Sequence, residues 1–107
     1  MLYYQNKGSK MTAYFISRHA GAIEWAKQQG IDIDKQIEHL DLSILKAGDC
    51  IYGTLPINLV ATINAMQVRY FHLSLNLPSH ARGKELSVKE MQAYGATLSE
   101  YTARKID

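Results

Sequence analysis

The chain has 107 residues, of which 47% are apolar and 21% charged, which is typical of one globular domain and excludes a disordered chain. Its formal net charge of +2, carried by scattered basic residues, excludes a protein that coats duplex nucleic acid. Cys50 is the only cysteine, which excludes an internal disulfide and fits a reducing cytoplasm. No apolar run approaches the roughly 20 residues of a membrane span, and neither zinc-type Cys/His spacing nor an acidic cluster is present, so we expect no metal and no cofactor.

The N-terminal part of the chain predicts a short appendage and then a strand and a helix. Residues 1–11 show no hydrophobic period and are interpreted as an appendage to a single domain at 12–107. The first strand is predicted at 12–16, and a helix of about ten residues follows, ended by Gly30 because glycine suits the left-handed position after a helix.

The stretch 49–58 is the centre of the predicted fold. A weakly alternating strand at 36–40 and one helical turn at 41–46 precede it. Its first half is β-branched and aromatic, which predicts a buried strand ended by Gly53. Pro56 then suits the first turn of a second helix. Backbone N–H groups at such a strand–turn–helix junction are a ready site for an anion.

The fourth strand is predicted at 68–75. Its period of two places one set of side chains on each face: Val68, Tyr70, His72 and Ser74 on one, and Arg69, Phe71, Leu73 and Leu75 on the other. A polar loop at 79–85 follows. Ser87 and Glu90 then form a capping box that begins a last helix. Helical spacing predicts that this helix runs to Tyr101 with one apolar stripe, Met91, Tyr94, Leu98 and Tyr101, and with Gly95 at a close helix contact.

Strands that alternate with helices predict an α/β protein, a small Rossmann-like three-layer sandwich with a mainly parallel four-stranded sheet. The simplest doubly wound strand order is 2-1-3-4. Ligands bind such sheets beyond the carboxyl ends of the strands, where neighbouring connections leave in opposite directions. The turns at 17–21 and 53–58 are therefore expected to meet there, beside the end of the fourth strand.

Polar residues at this edge are the candidate site, and each has a structural alternative. Arg18 offers a fork of donors for phosphate oxygens or forms a surface ion pair. His19 and His72 transfer protons, or are a turn histidine and a satisfied core histidine respectively. Thr54 and Asn58 contact ligand or only cap the second helix. The predicted ligand-binding residues are Ser17, Gly53, Thr54, Leu55, Asn58, Ser74 and Arg82, the last in a loop that either folds over the site or stays solvated.

Several well-known catalytic and nucleotide-binding motifs are absent from the sequence, which has no glycine-rich dinucleotide fingerprint, no P-loop and no nucleophile elbow. Their absence argues against a mononucleotide-dependent dehydrogenase or kinase. What remains is phosphodiester binding, with or without cleavage assisted by histidine and arginine.

An ordered set of segments carries a resemblance to a known family over about 11–101. The segments are Tyr14–Ala22 with Glu24–Ala26, Gly48-Asp49, Gly53–Leu59, His72–Leu75 and Arg82–Leu86. Together they resemble the small Csx-type accessory proteins of type III CRISPR systems, which are related to CRISPR-associated Rossmann-fold sensor domains.

The resemblance implies a metal-independent ring nuclease that acts as a homodimer. Such proteins bind cyclic oligoadenylate, chiefly cyclic tetra-adenylate, and cut it to linear products with 2′,3′-cyclic phosphate ends, which switches off the antiviral signal. Arg18 would then stabilise the developing charge, and His19 or His72 would move protons. The alternative is a protein that sequesters the ring without cutting it. A third possibility is an interaction subunit whose pocket stays empty.

Overall fold

The computed structural model of the chain describes residues 11–17 and 19–107, so Arg18 and most of the predicted appendage lie outside the described residues. The elements in this part of the chain are β1 (Ala13–Ile16), α1 (Ala20–Gln28), β2 (Lys35–Ile37), β3 (Cys50–Gly53), α2 (Ile57–Ala65), β4 (Arg69–Ser74), α3 (Val88–Ala93) and β5 (Thr97–Tyr101). Short 3-10 helices lie at Leu42–Ile44 and Ser79–Ala81. None of the helices in the described ranges is long and apolar enough to cross a bilayer.

The strands form a single sheet in the order β2-β1-β3-β4-β5. β2, β1, β3 and β4 are parallel neighbours, which confirms an α/β protein and the predicted order 2-1-3-4. The expectation of four strands is wrong, because β5 extends the sheet as an antiparallel neighbour of β4. The four parallel strands thus reach the same rim with their carboxyl ends, with β1, β3 and β4 side by side.

The end of the chain corrects the prediction of a helix that runs to Tyr101. The capping box is confirmed, since Ser87 Oγ accepts from the Glu90 N–H and a Glu90 carboxylate oxygen accepts from the Ser87 N–H. The helix nevertheless ends at Ala93, and Gly95 adopts φ +71°, which reverses the chain at low cost only for glycine. Gly95 is therefore a helix terminator and makes no close helix contact.

The two faces of the sheet pack against different helices and give three layers. The face of α1 and α3 buries Phe15, Tyr52 and Phe71, with the rings of Tyr52 and Phe71 stacked 4.8 Å apart. The face of α2 buries Ile51 and Tyr70. The predicted alternation along the fourth strand is confirmed, so the side chains beyond Tyr70 on its face continue toward the rim on the α2 side.

A buried carboxylate holds the edge of the sheet opposite the rim. Asp49 is 0% exposed, and its two oxygens accept from the backbone N–H groups of Thr12 and Lys46, each at 2.9 Å. A charge can stay in the core only when it is hydrogen-bonded in this way. Next to it, burial raises the pKa of the Cys50 thiol to about 11, as expected of a core cysteine.

Candidate functional site

The carboxyl ends of β1 and β3 lie side by side at the rim. β1 and β3 are in parallel register, and a Cβ placed on Gly53 would lie 2.9 Å from the carbonyl oxygen of Ile16. Gly53 also adopts φ +157°. Only glycine permits both this backbone conformation and this approach of two chains. The sequence at position 53 thus fixes the geometry of the switch point.

Tyr70 ties the loop after β3 to β4. Its phenol oxygen accepts from the Leu55 N–H at 2.8 Å and lies 3.1 Å from the Gly53 carbonyl oxygen and 2.5 Å from His72 Nδ1. Burial raises the pKa of Tyr70, and the N–H of Leu55 opposes that rise, so the side chain is a neutral phenol near pH 7. His72 is thereby held from one ring nitrogen and is half-buried.

A cavity of about 470 Å³ opens beside the imidazole, and we name it the His72 cavity. It is lined by Leu55, Ile57, Val60, Tyr70, His72, Ser74, Tyr101 and Thr102. Tyr101 is 51% exposed, and its ring meets that of His72 edge-on with centroids 5.8 Å apart. The volume lies in the range of small-molecule sites, and apolar walls with a few polar groups are typical of them.

A second cavity, of about 910 Å³, runs along the outer side of α2, and we name it the α2 cavity. Its lining is Ile57, Asn58, Ala61, Thr62, Asn64, Ala65, Ala103, Arg104 and Lys105. Ile57 lines both cavities, so the two adjoin at the beginning of α2. The α2 cavity has an apolar floor and two cations on its far wall.

The predicted site residues divide between these cavities and the outer rim. Leu55, His72 and Ser74 line the His72 cavity, and Asn58 lines the α2 cavity. The carbonyl oxygen of Gly53 contacts the hydroxyl of Tyr70. The structure therefore brings half of the predicted set together on the α2 side of the sheet. Arg18 lies outside the described residues, and its role stays a prediction.

The other predicted residues line neither of these two cavities. The Ser17 hydroxyl accepts from the His19 N–H at 3.0 Å, and His19 is exposed immediately before α1. Thr54 is exposed, and Pro56 occupies the N-cap of α2 without a side-chain bond, so the capping role for Thr54 is wrong. Arg82 is exposed after Ser79–Ala81, a turn that packs on the α1 and α3 side through Ala81.

Sequence reasoning missed most of the residues that line the cavities, among them Tyr70, Tyr101, Thr102, Arg104 and Lys105. Tyr70 had a usable signal, because it shares a strand face with His72 two positions later. Tyr101 and Thr102 were hidden by the error about the last helix. Arg104 and Lys105 follow the last strand and carried no pattern of their own.

No group of three or more histidine, cysteine or carboxylate side chains that could hold a metal ion occurs within residues 11–17 and 19–107. The chemical groups available at the His72 cavity are an imidazole, two phenols and two aliphatic hydroxyls, which suit proton transfer and hydrogen bonding.

Comparison with known proteins identifies a family. Residues 14–104 match the family model described as "Putative CRISPR-associated protein (Cas_VVA1548)". The match spans every strand and helix of the sheet fold apart from the first residue of β1. No curated protein and no solved structure matches the chain significantly.

Proposed function

The chain belongs to this CRISPR-associated family, and from that premise we propose that it is a ring nuclease for cyclic oligoadenylate. Cyclic tetra-adenylate is the expected substrate, cut to linear products with 2′,3′-cyclic phosphate ends so that type III CRISPR signalling stops. The observation that carries the proposal is the His72 imidazole, fixed by Tyr70 near the carboxyl end of β4 at the edge of a cavity large enough for a nucleotide.

The proposed reaction needs only proton transfer and charge stabilisation. The ribose 2′-oxygen attacks the adjacent phosphorus, the bond from phosphorus to the 5′-oxygen breaks, and a 2′,3′-cyclic phosphate and a 5′-hydroxyl result. His72 takes the proton from the 2′-hydroxyl, and a second donor, for which His19 is the candidate, returns one to the 5′-oxygen. Arg18 would stabilise the charge on the phosphoryl oxygens.

The walls of the His72 cavity offer contacts suited to an adenosine. The half-exposed ring of Tyr101 gives a face on which a purine can stack. Ser74 and Thr102 bring hydroxyls to the same cavity. The first N–H groups of α2, those of Ile57 and Asn58, have no intrahelical acceptor and lie between the two cavities, where a phosphate would benefit from them.

The α2 cavity would receive the next nucleotide of the ring. It adjoins the His72 cavity through Ile57, and Arg104 and Lys105 supply positive charge on its wall. Lys105 also lies 3.9 Å from the Asp107 carboxylate, but both side chains are strongly exposed, so this ion pair holds the ammonium only weakly. A homodimer would offer two such sites to a two-fold-symmetric ring.

A cleavage assay with cyclic oligoadenylates tests the proposal. Wild-type protein is incubated with cyclic tri-, tetra- or hexa-adenylate, with and without EDTA, and the products are read by mass spectrometry. We expect cyclic tetra-adenylate to be converted to products with 2′,3′-cyclic phosphate ends in EDTA.

The His72→Ala variant is the matched control, and its kcat should fall more than its KM rises. A ring that is bound but unchanged after many equivalents of protein would replace the nuclease with a sequestering protein. Absence of binding to any ring in calorimetry would exclude both.

A further inference from the structure

We propose that Tyr70 is a positioning residue that holds His72 in the tautomer with its proton on Nδ1. Nε2 is then the nitrogen left to face a ligand in the His72 cavity, and in the neutral ring it carries a lone pair. The tautomer follows from the hydrogen bonds alone, whereas its consequence for catalysis rests on the proposed function.

The allocation of protons around the Tyr70 oxygen carries the proposal. A phenol has one proton to donate and can accept two. The Leu55 N–H at 2.8 Å is a donor and uses one acceptor position. The Gly53 carbonyl oxygen at 3.1 Å can only accept, so a hydrogen bond there requires the phenol proton. His72 Nδ1, at 2.5 Å, must then be the donor to Tyr70.

The other tautomer leaves one of these contacts without a proton. If the phenol donated to His72 Nδ1, its oxygen would face the Gly53 carbonyl oxygen at 3.1 Å with no hydrogen between them. Two oxygens at that distance repel, and the site is partly buried, where such repulsion is poorly screened. The arrangement with all three hydrogen bonds is therefore favoured.

Aromatic contacts restrict the imidazole as well. The Tyr70 and His72 rings are tilted with centroids 5.7 Å apart, and Tyr101 meets His72 edge-on from β5. A 180° flip of the imidazole would break the bond to Tyr70 and bring a carbon to the phenol oxygen. Tyr70 thus selects both the orientation of the imidazole and the nitrogen that carries its proton, because a hydrogen bond to one ring nitrogen of a histidine sets the state of the other.

The test is ¹⁵N NMR of the imidazoles in the ligand-free protein at a pH where histidine is neutral. We expect His72 of the wild type to show a protonated Nδ1 and an unprotonated Nε2. Tyr70→Phe keeps the ring and removes the oxygen, so the preference for Nδ1–H should be lost. Tyr101→Phe removes the hydroxyl group from the other aromatic ring that contacts His72 and should leave the tautomer of His72 unchanged.

Kinetics then connect the tautomer to the reaction. We expect Tyr70→Phe to lower kcat for cyclic tetra-adenylate at least tenfold and to change KM less than threefold. The cyclic oligonucleotide still binds, but Nε2 of His72 is no longer the dominant proton acceptor. A wild-type His72 with its proton on Nε2, or a tautomer that Tyr70→Phe leaves unchanged, would overturn the proposal.

Two further observations keep the test decisive. If Tyr70→Phe does not fold, the NMR spectrum of the wild type alone still decides the tautomer. If the wild type folds but cuts no cyclic oligoadenylate, the proposed function is wrong. The NMR spectrum then still decides whether the proton of His72 lies on Nδ1.

Discussion

The side-chain amide of Asn64 joins the C-terminal segment to the rest of the protein. Its Oδ1 accepts from the Ala103 N–H at 2.8 Å, and its Nδ2 donates to the Val68 carbonyl oxygen at 2.9 Å. One residue of α2 therefore fixes both the beginning of β4 and the residues that follow β5. Ala103, which lines the α2 cavity, is thereby held against α2.

Removing the amide should loosen this attachment. Asn64→Ala deletes two partly buried hydrogen bonds, each worth about 1 kcal/mol, so we expect about 2 kcal/mol of lost stability in urea denaturation. Thr62→Ala on the same helix removes an exposed bond to the Asn58 carbonyl and should cost less than about 0.5 kcal/mol. Equal losses in the two variants would contradict the anchoring role of Asn64.

The cations of the α2 cavity should contribute to binding of the ring. The double variant Arg104→Ala, Lys105→Ala is expected to raise the Kd for cyclic tetra-adenylate at least tenfold and to flatten the dependence of Kd on salt, because two phosphate contacts are lost. The double variant Lys27→Ala, Lys89→Ala removes the same charge from α1 and α3. A similar rise in Kd in both double variants would show that binding depends only on the net charge of the protein and not on the cations of the α2 cavity.

The close approach at the switch point predicts an unequal response of two glycines. A Cβ at position 53 would lie 2.9 Å from a backbone oxygen, whereas a Cβ at Gly48, which has φ +96°, meets nothing within 4 Å. Gly48→Ala should therefore cost only the backbone penalty of about 1 kcal/mol. Gly53→Ala should cost about 2–3 kcal/mol in the same denaturation experiment. Equal costs would show that the rim can relax around a methyl group.

The pairing of β4 with β5 predicts a pH-dependent contribution to stability. Arg69 donates two hydrogen bonds to the Glu100 carboxylate, at 2.6 and 2.7 Å, and these bonds lower the pKa of Glu100. Because the pKa of Glu100 is lower in the folded than in the unfolded protein, the ion pair stabilises the fold at pH values above the unfolded-state pKa of about 4.3. This stabilisation is lost as the pH falls through the folded-state pKa.

A double-mutant cycle with Arg69→Met and Glu100→Gln measures this contribution. Both side chains are about a third exposed, at 38% and 34%, so we expect a coupling energy of about 0.5–1 kcal/mol at pH 7. The coupling should vanish at acidic pH below the pKa of Glu100. A coupling energy that is the same at pH 7 and at pH 2 would contradict an ionic pair.

Arg18 is the predicted electrostatic residue of the reaction. Arg18→Ala should lower kcat/KM for cyclic tetra-adenylate at least tenfold, about 1.4 kcal/mol, the scale of one lost charge-assisted hydrogen bond. The measurement is a time course of cleavage with the folded variant at matched concentration. Unchanged kinetics would remove Arg18 from the site.

The sequence predicted the parallel part of the sheet well because its signals are local. Buried strands such as β3 are short, β-branched and aromatic, and glycine ends α1 where the structure places its terminus. The strand order followed from handedness and from the small number of strands. These rules need no knowledge of distant contacts.

The last strand escaped prediction because its apolar residues fit two periods. Met91, Tyr94, Leu98 and Tyr101 recur at helical spacing, although Leu98 is buried as a strand residue between more exposed neighbours. Gly95, with φ +71°, ends the helix, and the residues after it pair with β4, a tertiary contact that helical spacing does not reveal. The error also hid Tyr101 as a wall of the His72 cavity.

The candidate site was predictable as a location but not as a set of contacts. The rim and His72 followed from strand order and from the alternation of β4. The three bonds of the Tyr70 oxygen depend on the path of the loop after Gly53, which no local pattern specifies.

The alternation of β4 has one more consequence. A slip of this strand by a single residue against β3 would turn the imidazole toward α1 and α3 and push the ring of Phe71 into the cavity. The packing of the core and the placement of His72 at its cavity therefore depend on the same strand register. We expect a variant that shifts this register to be an unstable protein rather than a folded one with an altered cavity.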